Sequence, residues 1–177
     1  PKPSSAASDV YKRQAKELVD RVLSGEKRLG HNIPNELKVG AMLETPSLAY
    51  APEDFFTAVD FLSVGGNDLK QFFFAADREN ELVRRKYDTL SSSFLTYLKF
   101  VINRCKELKT PISFCGEDAG RPIEAVCLCA IGFSSLSMRP ASIGPVKHLL
   151  RRVNLEELSN IMNSEIASGS SSVRLSL

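Results

Sequence analysis

No run of about 18 apolar residues occurs in this sequence of 177 residues, so it offers no membrane-spanning helix. Neither sign of charge dominates. Lys and Arg number 23 against 21 Asp and Glu, a formal charge of +2, which gives no electrostatic case for nucleic acid or a membrane surface as the main partner. The four cysteines, Cys105, Cys115, Cys127 and Cys129, lack metal-finger spacing: one residue separates Cys127 from Cys129, and no second pair or His cluster completes a tetrahedral site. His31 and His148, the two histidines, have no partner implied by spacing. No apolar core segment of a secretory signal stands near the N-terminus, so reduced thiols in a cytoplasmic protein are expected.

The remaining composition is ordinary for a globular chain. Hydrophobic residues make up 43%, charged residues 25% and aromatics 8%, which excludes a disordered chain, a collagen-like repeat and a disulfide-dense miniprotein. The length suits one sizeable domain. Residues 1–14 (PKPSSAASDVYKRQ) are polar, lack a starting Met and show no helical or strand periodicity, so they read as a non-native or disordered tail. Residues 167–177 are Ser-rich and read as a second disordered tail, leaving 15–166 as the domain.

Within that domain, strand and helix patterns alternate. Leu18, Val19, Val22 and Leu23 recur on one helical face, and Gly25 and Gly30 are expected to end that helix. Residues 38–44 form a short apolar run ending in Glu44, the mark of a buried strand in a parallel sheet. A short helix is expected over 46–58, a second strand over 59–66, helices over 68–76 and 91–108, and a third strand over 111–115. A helix over 123–131, a very short strand over 134–137 and helices over 142–152 and 155–166 complete the pattern. About four strand–helix units in this order imply parallel strands with crossover helices.

The strand ends carry the chemistry. Glu44 ends the first, Gly65-Gly66-Asn67-Asp68 the second and Cys115-Gly116-Glu117 the third. Ligands of parallel α/β sheets sit at the carboxyl ends of strands, where loops converge. Glu44 and Asp68 together can hold a hard divalent ion such as Mg²⁺, which takes one or two protein carboxylates. Taken singly, Glu44 suits a salt bridge and Asp68 a helix cap. The Gly pair offers backbone amides to an anion, or only a tight turn. Arg78 suits bidentate phosphate contact or a solvated surface. Cys115 suits a nucleophile, a proton donor or a core thiol. Cys127 and Cys129 fall mid-helix and read as core, and the basic cluster at 147–152 reads as a solvated face or a subunit contact.

Residues 59–71 (VDFLSVGGNDLKQ) with 75–80 (AADREN) resemble the signature segment of the phosphoenolpyruvate-utilising enzymes. Met42-Leu-Glu44-Thr-Pro46, Phe114-Cys-Gly-Glu117 with Gly120, and Leu136-Ser-Met138 with Ser142-Ile143 come in the family's order, so the resemblance covers residues 39–153. It is strongest to the Enzyme I branch, the phosphoenolpyruvate–protein phosphotransferases of the phosphotransferase system that serves sugar transport. Residues 142–147 (SIGPVK) point to its nitrogen-regulatory variant. Pyruvate phosphate dikinase and phosphoenolpyruvate synthase share the Asn-Asp and Cys-Gly pieces, but their tails differ from this one.

The resemblance implies a (β/α)₈ TIM barrel that binds phosphoenolpyruvate and Mg²⁺ at its carboxyl face. It makes Glu44 and Asp68 the metal ligands, Asn67, Asp68 and Arg78 the substrate-binding residues, and Cys115 the general acid that protonates C3 of the enolate. It also implies a phosphocarrier protein as acceptor, reached through a histidine-bearing N-terminal domain, and a homodimer in the full-length enzyme. A full barrel needs about 250 residues, so the expectation is α/β, the C-terminal half of such a barrel, inactive alone. Three positions depart from the family: Gly66 stands where Thr or Ser is usual, Asp118 where an apolar residue is usual, and Arg139 where a small residue comes after Ser-Met. Two other readings stay open: a non-catalytic half-barrel that associates with a partner through its open edges, and a metal-dependent lyase or aldolase acting on a related enolate.

Overall fold

The computed structural model describes residues 8–77, 80 and 87–176. Its centre is one sheet of four parallel strands, β1 (Ala41–Leu43), β2 (Leu62–Gly65), β3 (Ile112–Cys115) and β4 (Leu136–Ser137), in the order β1-β2-β3-β4. Each strand is hydrogen-bonded to the next in sequence, with Leu43 beside Val64, Gly65 beside Cys115 and Cys115 beside Ser137. Parallel neighbours need crossovers, and helices supply them. Seven α-helices lie among the described residues: α1 (Ser8–Arg28), α2 (Glu53–Thr57), α3 (Gly66–Phe74), α4 (Ser92–Glu107), α5 (Pro122–Ile131), α6 (Pro140–Leu150) and α7 (Leu155–Ala167). These are the parallel strands and crossover helices that the alternation implied, an arrangement consistent with the half-barrel that the family resemblance implied.

The pleat sorts side chains onto two faces. Leu43, Leu62, Val64 and Phe114 point outward and are buried against Phe56, Leu69, Phe94, Leu98 and Leu128 from the helical layer. The opposite face carries Met42, Ser63, Ser113 and Cys115, and none of these is fully buried. Local chemistry sets the helix ends. The Ser91 hydroxyl accepts from the Phe94 N–H at the start of α4, and Asn154 Oδ1 accepts from Glu156 N–H and Glu157 N–H at the start of α7.

Both tails differ from expectation. The tail assigned to 1–14 contains the start of α1, and Gly25 is carried inside that helix, which ends at Arg28 before Gly30 adopts φ +80°. A single glycine lowers helix stability by only about 1 kcal/mol, too little to end a helix of this length. The tail assigned to 167–177 is docked. Val173 is fully buried, Ser172 bridges to Ser91, and a 3₁₀ turn spans Val173–Ser176. Serine-rich composition hid one apolar anchor and one arginine, Arg174, that pin the segment. Helices α3 and α6 also start two residues earlier than expected, because Gly66-Asn67 and Pro140-Ala141 already adopt helical conformation.

Candidate active site

The register places Gly65, Cys115 and Ser137 in one row at the carboxyl ends of their strands. Glu44 joins this row from the end of β1: a Cβ built on Gly65 would lie 2.7 Å from Glu44 Cγ and 3.1 Å from its Oε1. Only glycine at position 65 leaves the carboxylate that place against the backbone. Beyond the row the chain turns into α3, whose first turn holds Asn67 and Asp68. Asn67 Oδ1 accepts from the Glu117 N–H at 3.4 Å, which ties this turn to the one after Cys115. Gly116 makes that second turn with φ +135°, a conformation side chains disfavour, and a Cβ there would also crowd Asn67 Oδ1 at 3.2 Å.

Cys115 is half-buried and its thiol is held from the β2 side. It donates to Val64 O at 3.3 Å and accepts from the Ser63 hydroxyl at 3.5 Å. Ser63 lies two residues before Gly65 on the same strand face, the one sequence signal that could have pointed to it. The other three thiols are free as well. Cys105 and Cys127 are buried, and burial pushes them up to about 11 and about 12 respectively. Cys129, expected in the core, is only half-buried.

An open cleft of about 640 Å³ runs along the strand ends, with Asn67, Cys115, Glu117, Arg121, Arg139 and Ser142 on its wall. Of the five residues that the sequence marks as candidates, Asn67 and Cys115 share this cleft. Glu44 packs against the Gly65 backbone and Asp68 comes after Asn67 on α3, and neither lines the cleft. Arg78 lies outside the described residues. Among the described residues no three His, Cys, Asp or Glu side chains gather into a metal-holding group. Glu44 and Asp68, the two carboxylates that follow β1 and β2, have the chemistry to hold a hard cation, which takes one or two protein carboxylates and fills its shell with water.

Two departures from the family pattern have visible causes. A Cβ on Gly66 would meet the Phe114 ring, with Cε1 at 2.6 Å and Cζ nearer still, so the hydroxyl usual at this position has no room. Asp118 is buried, and its carboxylate takes Lys70 at 2.6 Å, Arg121 at 3.2 Å and the Thr89 hydroxyl. The aspartate serves here as an ion-pair centre.

A strand-end cleft with an Asn-Asp turn and a half-buried thiol is the geometry of an α/β ligand site, and the family comparison gives it a class. Residues 8–155 match the family described as PEP-utilising enzyme, PEP-binding domain. The chain belongs to this family. Among curated relatives, it is 35% identical over 149 residues to a protein of Escherichia coli (strain K12) named phosphoenolpyruvate-dependent phosphotransferase system, covering 84% of this chain and 20% of that protein. It is 34% identical over 167 residues to a phosphoenolpyruvate-protein phosphotransferase of Geobacillus stearothermophilus, covering 94% of this chain and 29% of the relative. The chain thus spans less than a third of the curated relatives it matches. No described helix is long and apolar enough to cross a membrane.

Proposed function

We propose that the chain is the carboxyl-side half of the phosphoenolpyruvate-binding barrel of a phosphoenolpyruvate–protein phosphotransferase in the Enzyme I branch. The reaction moves the phosphoryl group of phosphoenolpyruvate to a histidine of a protein domain and releases pyruvate. Phosphoryl transfer asks a protein for positioning and charge neutralisation more than for covalent work. Asn67, Asp68 and Arg78 bind the substrate. Glu44 and Asp68 hold Mg²⁺, which when bound neutralises charge on the phosphoryl oxygens. Cys115 acts on the carbon skeleton: as the bond from phosphorus to the enol oxygen breaks, the enolate takes the thiol proton at C3 to become pyruvate, and solvent restores the thiol. Ser63 and Val64 O orient that thiol.

The observation that carries this reading is the placement of Asn67 and Cys115 on one cleft wall, in a chain whose 8–155 match the PEP-binding family. The acceptor is a phosphocarrier protein reached through a histidine-bearing domain, the full-length enzyme is a homodimer, and the setting is cytoplasmic. Calorimetric titration tests the core of it. Phosphoenolpyruvate should bind in the presence of Mg²⁺ and bind poorly without it, and Asp68→Ala should lose the heat. The chain alone should turn over little substrate.

A second reading is favoured by the open faces of the half-barrel. Met42 on the sheet face away from the core is 45% exposed, and Leu18 and Val22 on α1 are 58% and 53% exposed. A non-catalytic module that associates through these surfaces would show no heat with phosphoenolpyruvate at any Mg²⁺ concentration.

A further inference from the structure

Behind the loop that follows Cys115 lies a cluster of charge that the proposed reaction does not use. Gly116, Glu117, Gly120 and Arg121 of this loop line the cleft, while Asp118 between them is buried. We propose that the segment 171–174 is a clasp that sets the shape of the cleft loop from the rear, which makes Thr89 and Arg174 positioning residues for the cleft. The clasp acts whichever ligand the cleft takes.

The grip has two points. The buried Thr89 hydroxyl donates to Asp118 Oδ2 and accepts from Lys70 Nζ at 3.2 Å. The neighbouring Asp88 carboxylate takes Arg174 Nε at 2.6 Å and Nη2 at 2.8 Å, and the same Nη2 reaches Glu124 Oε1 at 2.7 Å. Glu124 lies in the first turn of α5, the helix that begins directly after Arg121. Residues 88 and 89 therefore hold the loop directly at Asp118, and hold the helix beyond it through Arg174. One guanidinium closes a ring of contacts from 118 through 89, 88 and 174 to 124, and the chain from 118 to 124 completes it.

Backbone contacts seat the arginine. The segment runs antiparallel beside Ser91, with Ser172 as its bridge partner. The Val173 N–H and the Ser172 hydroxyl both donate to Leu90 O at 3.1 Å, and the Ser92 N–H donates to Ser171 O at 3.1 Å. Val173 is fully buried, which anchors the segment on the residue before Arg174.

Charge makes the arginine decisive. Asp88 and Glu124, with side chains 30% and 8% exposed, share this one guanidinium and have no other ion-pair partner among the described residues. Without it, two poorly hydrated carboxylates would face each other unpaired, which favours their separation. A polar network of this kind is stable when every member is satisfied and weak when one is removed. Asp118 keeps Lys70 and Arg121 as its own cations. Losing Arg174 therefore reaches the cleft loop by movement of residues 88–89 and of the α5 turn.

Hydrogen exchange of the full chain, without ligand, tests the clasp. In Arg174→Ala the amides of Glu117, Gly120 and Arg121 should exchange about tenfold faster, because they open locally rather than by global unfolding. Iodoacetamide should modify Cys115, which adjoins the loop, faster in the same variant. Thr89→Val keeps the shape and removes the hydroxyl, so it should speed the same amides, and the double variant should exchange more slowly than two independent effects would give. Arg174→Lys should recover part of the protection, since an ammonium lacks the fork that serves both carboxylates. Val101→Ala, a control in the fully buried face of α4, should lower the melting midpoint and leave the loop amides at the wild-type rate. Wild-type exchange of the loop in Arg174→Ala would overturn the clasp. Equal acceleration of the loop in Val101→Ala would overturn it too, because the effect would then be a general loss of stability.

Discussion

Lys70 Nζ lies 2.6 Å from Asp118 Oδ2, and the two side chains are only 17% and 4% exposed. Lys70 sits on α3, within a turn of Asn67 and Asp68, while Asp118 lies three residues beyond Cys115. The pair therefore joins the helix that presents the Asn-Asp turn to the loop that presents the thiol. The Asn67–Glu117 hydrogen bond makes the same junction nearer the strand ends. Two ties across one seam hold the cleft residues Asn67 and Cys115 in register, which is what positioning chemistry requires.

Acid should loosen that seam. Burial alone would raise the Asp118 carboxyl, but Lys70, through charge and a hydrogen bond, with Thr89 and Arg121, outweighs it and holds the group below its ordinary value. A carboxyl lowered by folding stabilises the fold above its unfolded pKa and loses that contribution as pH falls through its folded one. Asp88 is lowered too, burial being outweighed by Arg174 and the Leu90 N–H, and adds with the same sign. Thermal midpoints should be level above about pH 5 and fall below about pH 4, and Asp118→Asn should flatten part of that fall. At neutral pH, Asp118→Ala should cost about 3 kcal/mol, at the low end for a buried pair because the stranded Lys70 ammonium keeps some contact with water. A variant with the wild-type acid profile would show that the pair contributes nothing.

The parallel sheet was legible because its cues are local: apolar runs of strand length, each leading to a polar or glycine-rich end and a helical period. The placement of Asn67 and Cys115 on one cleft was legible through the same rule, since parallel strands deliver their carboxyl ends to one side. Asp118, Lys70 and Ser63 were not. Their roles depend on partners 48 and 52 residues away, and no periodicity encodes which side chains meet across a crossover. The docked end of the chain escaped for a related reason: Val173 and Arg174 are two residues in a serine-rich stretch, and their partners lie on other elements.

Position 66 ties sequence departure to packing. Gly66→Ser should lower stability by about 1–3 kcal/mol, because the added atoms must displace the fully buried Phe114 ring. Phe114→Leu in the same chain should return part of it, an interaction that chemical denaturation of the two single variants and the double variant measures directly. Additive losses would mean that the ring is not what excludes the hydroxyl.

Arg174 anchors the C-terminal segment to two elements at once. Its guanidinium donates to Asp88 at 2.6 and 2.8 Å and to Glu124 at 2.7 Å, and Glu124 on α5 is nearly buried. Arg174→Ala should cost about 2 kcal/mol, less than for a fully buried network because the arginine is partly exposed. Removing residues 173–177 should cost more, since the fully buried Val173 goes as well. Hydrogen exchange should then speed up at Leu90, whose carbonyl accepts from the Val173 N–H, and in the first turn of α5. Truncation with an unchanged melting curve would return the segment to the status of a tail.

Thiol chemistry separates Cys115 from the other three cysteines. Alkylation requires access and a thiolate, and Cys105 and Cys127 are denied both, lying at 0% and 1% exposure with acidity suppressed by burial. Cys129 is half-buried and also raised by burial. Cys115 opens onto the cleft, so iodoacetamide under native conditions should modify it first, as mass spectrometry of the digested protein would show. Phosphoenolpyruvate with Mg²⁺ at ten times its dissociation constant should slow that modification about tenfold, in proportion to occupancy, and Asp68→Asn should abolish the protection. Modification that ignores the ligand would separate the thiol from the substrate, and with it the assignment of the proton that makes pyruvate.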